Sequence, residues 1–430
     1  MKLNDLLKSE DWFSKAAFYV LLAILVSLAF SVRFMNSFSI ILLVALAVLH
    51  PSRKQWFNEA FGNLYFLSSA ALLLLKLSGM LYTDNMEEGW WQVTSKAGLL
   101  AIPYFFAGYK MKSPEKRLLL MVFTVSLAIV SLICLINAMI AFQSGAGASV
   151  FFYHQLVLLF KHHAIFFSFY LFFCIVYWLE EGLSVNGEFR YRNFIITILV
   201  FSYGVILLLS SKLVLILALV HLLYWLFRNT ASSRIPYIKS ALLIFITAAV
   251  LIVAFTNNPV KSRFADLANG NRQVFTQQHF SPETYLNGLQ FRLLTWRFTY
   301  EILSERKAWI FGVSPADAQD ALDQKYIEAG LYQGDGDTDK GYLAFNCHNA
   351  YLQVTLESGL IGLGLFLLMI VAYVREALHR NHQAALIFFA SIIAFCFTES
   401  VLSSQYTLLL FLFFPLLLLN GMGRMKLLQS

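Results

Sequence analysis

The chain has 430 residues, of which 59% are hydrophobic and 13% charged, with a mean hydropathy of +0.65 and a formal charge of +7. A soluble domain carries roughly 45–50% apolar and about 25% charged residues, so a water-soluble globule is excluded and lipid is the solvent for most of the chain. Four cysteines without paired spacing (Cys134, Cys174, Cys347 and Cys396) exclude a disulfide framework or a Cys-x-x-Cys metal knuckle.

Apolar stretches of helix length follow one another along the chain, enough for repeated crossings of about 30 Å of hydrocarbon. They run over residues 16–32, 34–50, 62–82, 95–109, 118–142 and 164–179, then 194–209, 213–227, 236–256, 352–374, 384–402 and 405–422. The pattern predicts an all-α polytopic membrane protein of about twelve transmembrane helices. No small-residue cleavage site follows the first apolar run, so the first helix is expected to remain uncleaved.

Alternate connections collect 17 Lys and Arg residues, among them Lys110, Lys112, Lys116 and Arg117. The opposing short loops hold Arg33, Lys161 and Lys212, beside Asp84, Glu87 and Glu88. The positive-inside rule therefore predicts that both termini are cytoplasmic. One connection is large, residues 257–351, on the outer face. The chain is thus expected to divide into nine spans within residues 1–256, a loop subdomain at 257–351, and three spans with a cytoplasmic C-terminus at 352–430. Inside the loop, residues 289–303 and 317–329 have helical periodicity, and 333–340 (QGDGDTDK) reads as an acidic turn. Nine basic and eleven acidic residues balance there, so nucleic-acid binding is not expected.

A few residues stand out as chemistry. Residues 207–215 (LLLSSKLVL) turn back at the outer face, where Lys212 must snorkel, point into a cavity or bind an anion; a simple interfacial anchor fits equally well. In residues 287–303 (NGLQFRLLTWRFTYEIL), Arg292, Trp296 and Tyr300 share a helix face, while Arg297 and Glu301 form an i,i+4 pair on another. A forked guanidinium beside aromatics suits a phosphate or pyrophosphate; the plainer alternative is an arginine paired with a carboxylate. His348 precedes an apolar helix containing Gly359, Gly362 and Gly364, whose missing side chains favour close helix packing. Its near-neutral ordinary pKa suits a general base, against the alternative of an interfacial histidine bonded to backbone. Cys347 next to it is not expected to be a nucleophile, because adjacent residues point in different directions. Glu399 and Glu357 are intramembrane carboxylates, either functional or structural partners for Lys212 or Arg292. His162 and His163 close an aromatic stretch but lack the spacing of a metal site, and Lys76 has no partner visible in the sequence.

In this order, the motifs resemble those of the O-antigen ligase and polymerase superfamily of bacterial envelope glycosyltransferases. The resemblance rests on Ser210, Ser211 and Lys212 before a span, Arg292 and Trp296 on the loop helix, and His348, Asn349, Leu352 and Gln353 running into Gly359, Gly362 and Gly364. Residues 310–315 (IFGVSP) look like the family's turn after the arginine helix, and the likeness covers roughly residues 194–402. It implies a GT-C-like, metal-independent and cofactor-free transferase in the bacterial inner membrane. Such an enzyme takes a glycan from undecaprenyl diphosphate and places it, with inversion, on a lipid A-core acceptor at the periplasmic face. Carried over, Lys212 and Arg292 would clamp the donor diphosphate and His348 would take or orient the acceptor proton, with Asn349, Trp296, Arg297 and Glu399 beside the substrate. Lys212 stands where many members have arginine. A single large outer loop, and no long outer domain after Arg424, favour the ligase over a polymerase or a protein O-oligosaccharyltransferase. A transporter or flippase would keep its polar residues near the midplane, whereas here they gather at the outer face.

Overall fold

The computed structural model describes residues 12–183, 191–228, 261, 273–336 and 339–420. Among these residues the regular structure is helical and no strand forms. The order opens with α1 (Trp12–Ala29), α2 (Arg33–Leu49), α3 (Arg53–Phe61), α4 (Leu64–Ser78), α5 (Met86–Ser95) and α6 (Gly98–Gly108). It continues with α7 (Ser113–Gln143), α8 (Tyr153–Val157), α9 (Ala164–Tyr177), α10 (Arg192–Leu209) and α11 (Lys212–Arg228). The expected span at 236–256 lies outside the described residues. Then follow α12 (Gln273–Thr276), α13 (Gly288–Glu305), α14 (Ala318–Glu328), α15 (Ala350–His379), α16 (Gln383–Cys396) and α17 (Gln405–Leu419). The two helices expected inside the large loop are α13 and α14.

Among the described residues, six helical stretches are long and apolar enough to cross a membrane: Trp12–Ala29, Leu64–Leu81, Ser113–Gln143, Ala164–Gly182, Arg192–Leu209 and Ala350–His379. A seventh results if α2 and α3, bent by 109°, form one span. Pro51 sits at that bend; it lacks an N–H and biases His50 away from helical geometry. The chain is therefore a polytopic helical membrane protein. The expected spans at 95–109, 384–402 and 405–422 form shorter helices of 11, 14 and 15 residues. At about 1.5 Å per residue these cover roughly 16–23 Å, short of a full crossing by helix alone.

The chain forms two compact units, one of Met1–Ala17, Phe38–Ser113 and Gly270–Ser430, the other of Phe18–Ser37 and Pro114–Asn269. In the second, α9 buries Phe167, Phe169, Phe172 and Phe173 and runs into a π-helical turn, Trp178–Gly182. That turn carries Glu181, paired with Lys116 at 2.8 Å, and Glu180, which His221 Nε2 and Arg228 Nη2 approach at 3.0 and 2.7 Å.

The first unit holds α13 to α17 together with α3 to α6. Helix α13 starts at a capping box: Asn287 Oδ1 accepts from the N–H groups of Leu289 and Gln290, and Gln290 Oε1 accepts from Asn287 N–H, each at 3.0 Å. Such a cap is worth about 1 kcal/mol and fixes where the helix begins. Phe291, Leu294 and Phe298 of α13 then bury with Leu322 and Tyr326 of α14 in one apolar core.

Helix α15 is broken at Gly359, whose φ of 66° and ψ of −168° are outside the helical range. The break frees the Leu356 carbonyl and the Leu360 N–H. Val313 N–H donates to the first at 2.8 Å, and Trp309 O accepts from the second at 2.7 Å. A Cβ on Gly359 would overlap the backbone of Ile310, and one on Gly312 (φ 77°) would come 2.5 Å from Ser358 N. The segment 309–313 is thereby locked into the break. By contrast, a Cβ on Gly364 would meet nothing within 4 Å, so the expected close packing does not apply there. Tyr82 Oη donates to Phe311 O at 2.8 Å and Thr83 Oγ1 to Asp317 Oδ1 at 2.8 Å, tying the α4–α5 connection to the same segment.

Candidate active site

Arg292 follows one turn after the cap of α13. Its Nη1 donates to Gly288 O at 3.0 Å, its Nε to Thr398 O at 3.1 Å, and its Nη2 to Glu399 Oε1 at 2.8 Å. The arginine side chain is 23% exposed and the Glu399 side chain 9%, so the pair sits at the edge of solvent. The second carboxylate oxygen, Glu399 Oε2, lies 3.4 Å from His348 Nδ1. Glu399 thus bridges the two residues singled out by the sequence, as the carboxylate partner that the sequence offers for Arg292.

His348 is held by its backbone as much as by this bridge. Its φ is 46°, in the left-handed region that non-glycine residues rarely adopt, and Asn346 Oδ1 accepts its N–H at 2.9 Å. The ring is flanked by Phe345 and Phe291, at centroid distances of 5.8 and 6.2 Å. The preceding peptide is clamped, since Thr295 Oγ1 and Trp296 Nε1 both donate to Cys347 O at 3.2 Å. Asn349 caps α15: its Oδ1 accepts from Leu352 N–H at 3.1 Å, and its own N–H donates to Ser400 Oγ at 3.2 Å.

Chemically, the cluster combines a cation with donors to spare and an imidazole at 21% exposure. A carboxylate accepting at Nδ1 leaves Nε2 as the imidazole's basic nitrogen. Arg292, His348, Glu399, Trp296 and Asn349 therefore come together. Arg297 is engaged elsewhere, with Glu301 at 2.6 Å, Gln277 O at 2.6 Å and Gln278 Oε1 at 3.1 Å. Lys212 belongs to the second unit, where it opens α11 two residues after Ser210, a left-handed residue (φ 51°) that ends α10. Cys347 is fully buried, with Thr299 Oγ1 3.2 Å from its Sγ, and burial pushes its thiol pKa up to about 12. Histidine 162 approaches Ala29 O at 2.9 Å through Nε2, a backbone contact of the ordinary kind.

Two contacts escape the sequence reading, which expects Glu357 beside Lys212 or Arg292 and gives Lys76 no partner. Lys76 pairs with Glu357, both buried. Gln353 joins Glu357 to the His348 loop: its Nε2 donates to Glu357 Oε1 at 2.7 Å and its Oε1 accepts from Cys347 N–H at 3.1 Å. Lys76 and Glu357 stand 281 positions apart, so no spacing signal could have joined them.

Residues 196–367 match the family described as O-antigen ligase. The matched segment contains Lys212, Arg292 and His348 and stops before Glu399. No curated protein matches the chain.

Proposed function

With residues 196–367 placing the chain in the O-antigen ligase superfamily, we propose that it transfers a glycan from undecaprenyl diphosphate to a lipid A-core acceptor at the periplasmic face of the inner membrane. The observation that carries this reading is the Arg292–Glu399–His348 bridge, a cation and a base joined by one carboxylate. The fold proposed is GT-C-like with about twelve spans and cytoplasmic termini, supported by the loop charge pattern.

In the proposed reaction the acceptor hydroxyl oxygen attacks the anomeric carbon, forming the new glycosidic bond as the bond to the diphosphate oxygen breaks, with inversion. The hydroxyl proton passes to His348 Nε2, which Glu399 orients through Nδ1. Arg292 has five N–H donors, of which three are engaged with protein, leaving two for the departing diphosphate. Charge developing on that leaving group is stabilised by a cation already held in place. No metal ion is assigned a role. Trp296 and Asn349, whose polar atoms bond within the protein, position the loop, and Arg297 holds the 274–278 segment. Support for Lys212 as a donor contact is its motif.

The test is transfer by the purified chain in lipid, supplied with a polyprenyl-diphosphate glycan and lipid A-core in the presence of a chelator. Product formation by wild type, with loss in His348→Ala, is expected. A requirement for added divalent metal would overturn the metal-independent mechanism. Addition to a second lipid-linked glycan, with none to lipid A-core, would make the chain a polymerase.

A further inference from the structure

The buried chain that runs from Lys76 through Glu357 and Gln353 to Cys347 N–H ends one residue before His348. Its members are 0%, 4% and 6% exposed, deep enough that each hydrogen bond has to be made with a defined polarity. Lys76 on α4 is a donor only. It donates to one oxygen of the Glu357 carboxylate, and the other oxygen accepts from Gln353. Gln353 must therefore turn its Nε2 toward Glu357, which leaves its Oε1 as the only group able to receive Cys347 N–H. The carbonyl of the same residue, in the next peptide toward His348, is held by Thr295 and Trp296. Lys96, also buried, donates to Gln92 Oε1 at 2.5 Å and interacts electrostatically with Glu357.

We propose that Lys76, Glu357 and Gln353 are positioning residues: a polarity relay from a transmembrane helix that sets the Cys347 peptide and so aims the His348 imidazole. The inference rests on the catalytic reading of His348. It explains why an ion pair is kept in the interior of the unit, where two apolar residues would cost less to bury. The relay passes on which end of the Gln353 amide faces His348, and a side chain of equal size but opposite polarity at position 357 should break it.

The discriminating variant is Glu357→Gln. Lys76 would take the new amide oxygen, the new NH2 would face Gln353, and Gln353 would have to flip and set its own NH2 against Cys347 N–H. With the donor and acceptor lipids of the transfer assay, kcat should fall tenfold or more, with KM for both substrates within twofold of wild type. Lys76→Met in the Glu357→Gln background releases the amide oxygen back to Gln353, and should restore kcat to within about threefold of wild type. A wild-type kcat in Glu357→Gln, or a double variant no faster than Glu357→Gln, would overturn the relay. If Glu357→Gln does not reach the membrane, Gln353→Met serves instead. It should show the same kcat loss at unchanged KM, and full activity there would overturn the proposal. His348→Ala assayed alongside separates the two layers, because full activity in that variant removes the catalytic reading itself.

Discussion

Arg292 illustrates how little freedom the candidate site leaves at single residues. Three protein acceptors already bind its guanidinium, so a lysine, with three donors on one nitrogen, would have none left for a substrate and could not reach all three in plane. Arg292→Lys should lower transfer at least a hundredfold, while Lys212→Arg, which supplies the residue common at that motif position, should stay within threefold of wild type. Equal activity of Arg292→Lys and wild type would remove the bidentate argument. Cys347 gives a different test. Its thiol, raised to about 12 by burial, has almost no thiolate between pH 7 and 9, and the thiolate is the reactive form. Maleimide should therefore leave Cys347 unlabelled in the folded protein across that range and label it after denaturation. Rapid native labelling would show that the peptide before His348 is not packed as described. Arg292 and His348 were legible because each sits in a local motif. Glu399 was visible only as an out-of-place carboxylate, since what defines it is contact with residues 107 and 51 positions away.

Among the elements, the break in α15 matters most for the site, because Gln353 and Glu357 lie on its N-terminal half and the 309–313 segment fills the gap. A side chain at Gly359 meets both a backbone conformation that is essentially glycine-only (φ 66°, ψ −168°), at about 1–3 kcal/mol, and overlap with Ile310. Gly359→Ala should destabilise the first unit by at least about 2 kcal/mol in a thermal melt, and Gly364→Ala should leave the melt unchanged. Identical melts for both would contradict the interlock. The helices α13 and α14 could be read from periodicity. The break could not, because an apolar run continues across it and a glycine looks the same in a packed helix as in a kink. Likewise the 109° bend was implicit in Pro51, whereas the shortness of α6, α16 and α17 reflects tertiary structure that hydropathy does not record.

For the whole molecule, composition and repeated apolar runs were sufficient to establish a polytopic helical protein, and the family match agrees with the motifs that pointed to it. What no local pattern could supply is the pairing between distant parts of the chain. The Lys76–Glu357 pair, the Tyr82–Phe311 bond and the Glu399 bridge each join segments more than 50 residues apart. The most direct measurement is the gel profile of lipopolysaccharide from cells lacking this chain, complemented with wild type or with His348→Ala at equal membrane levels. The prediction is that wild type restores the ladder, while His348→Ala leaves bare core and accumulates lipid-linked polymer. A full ladder in His348→Ala cells, or in cells without the chain, would contradict the assignment.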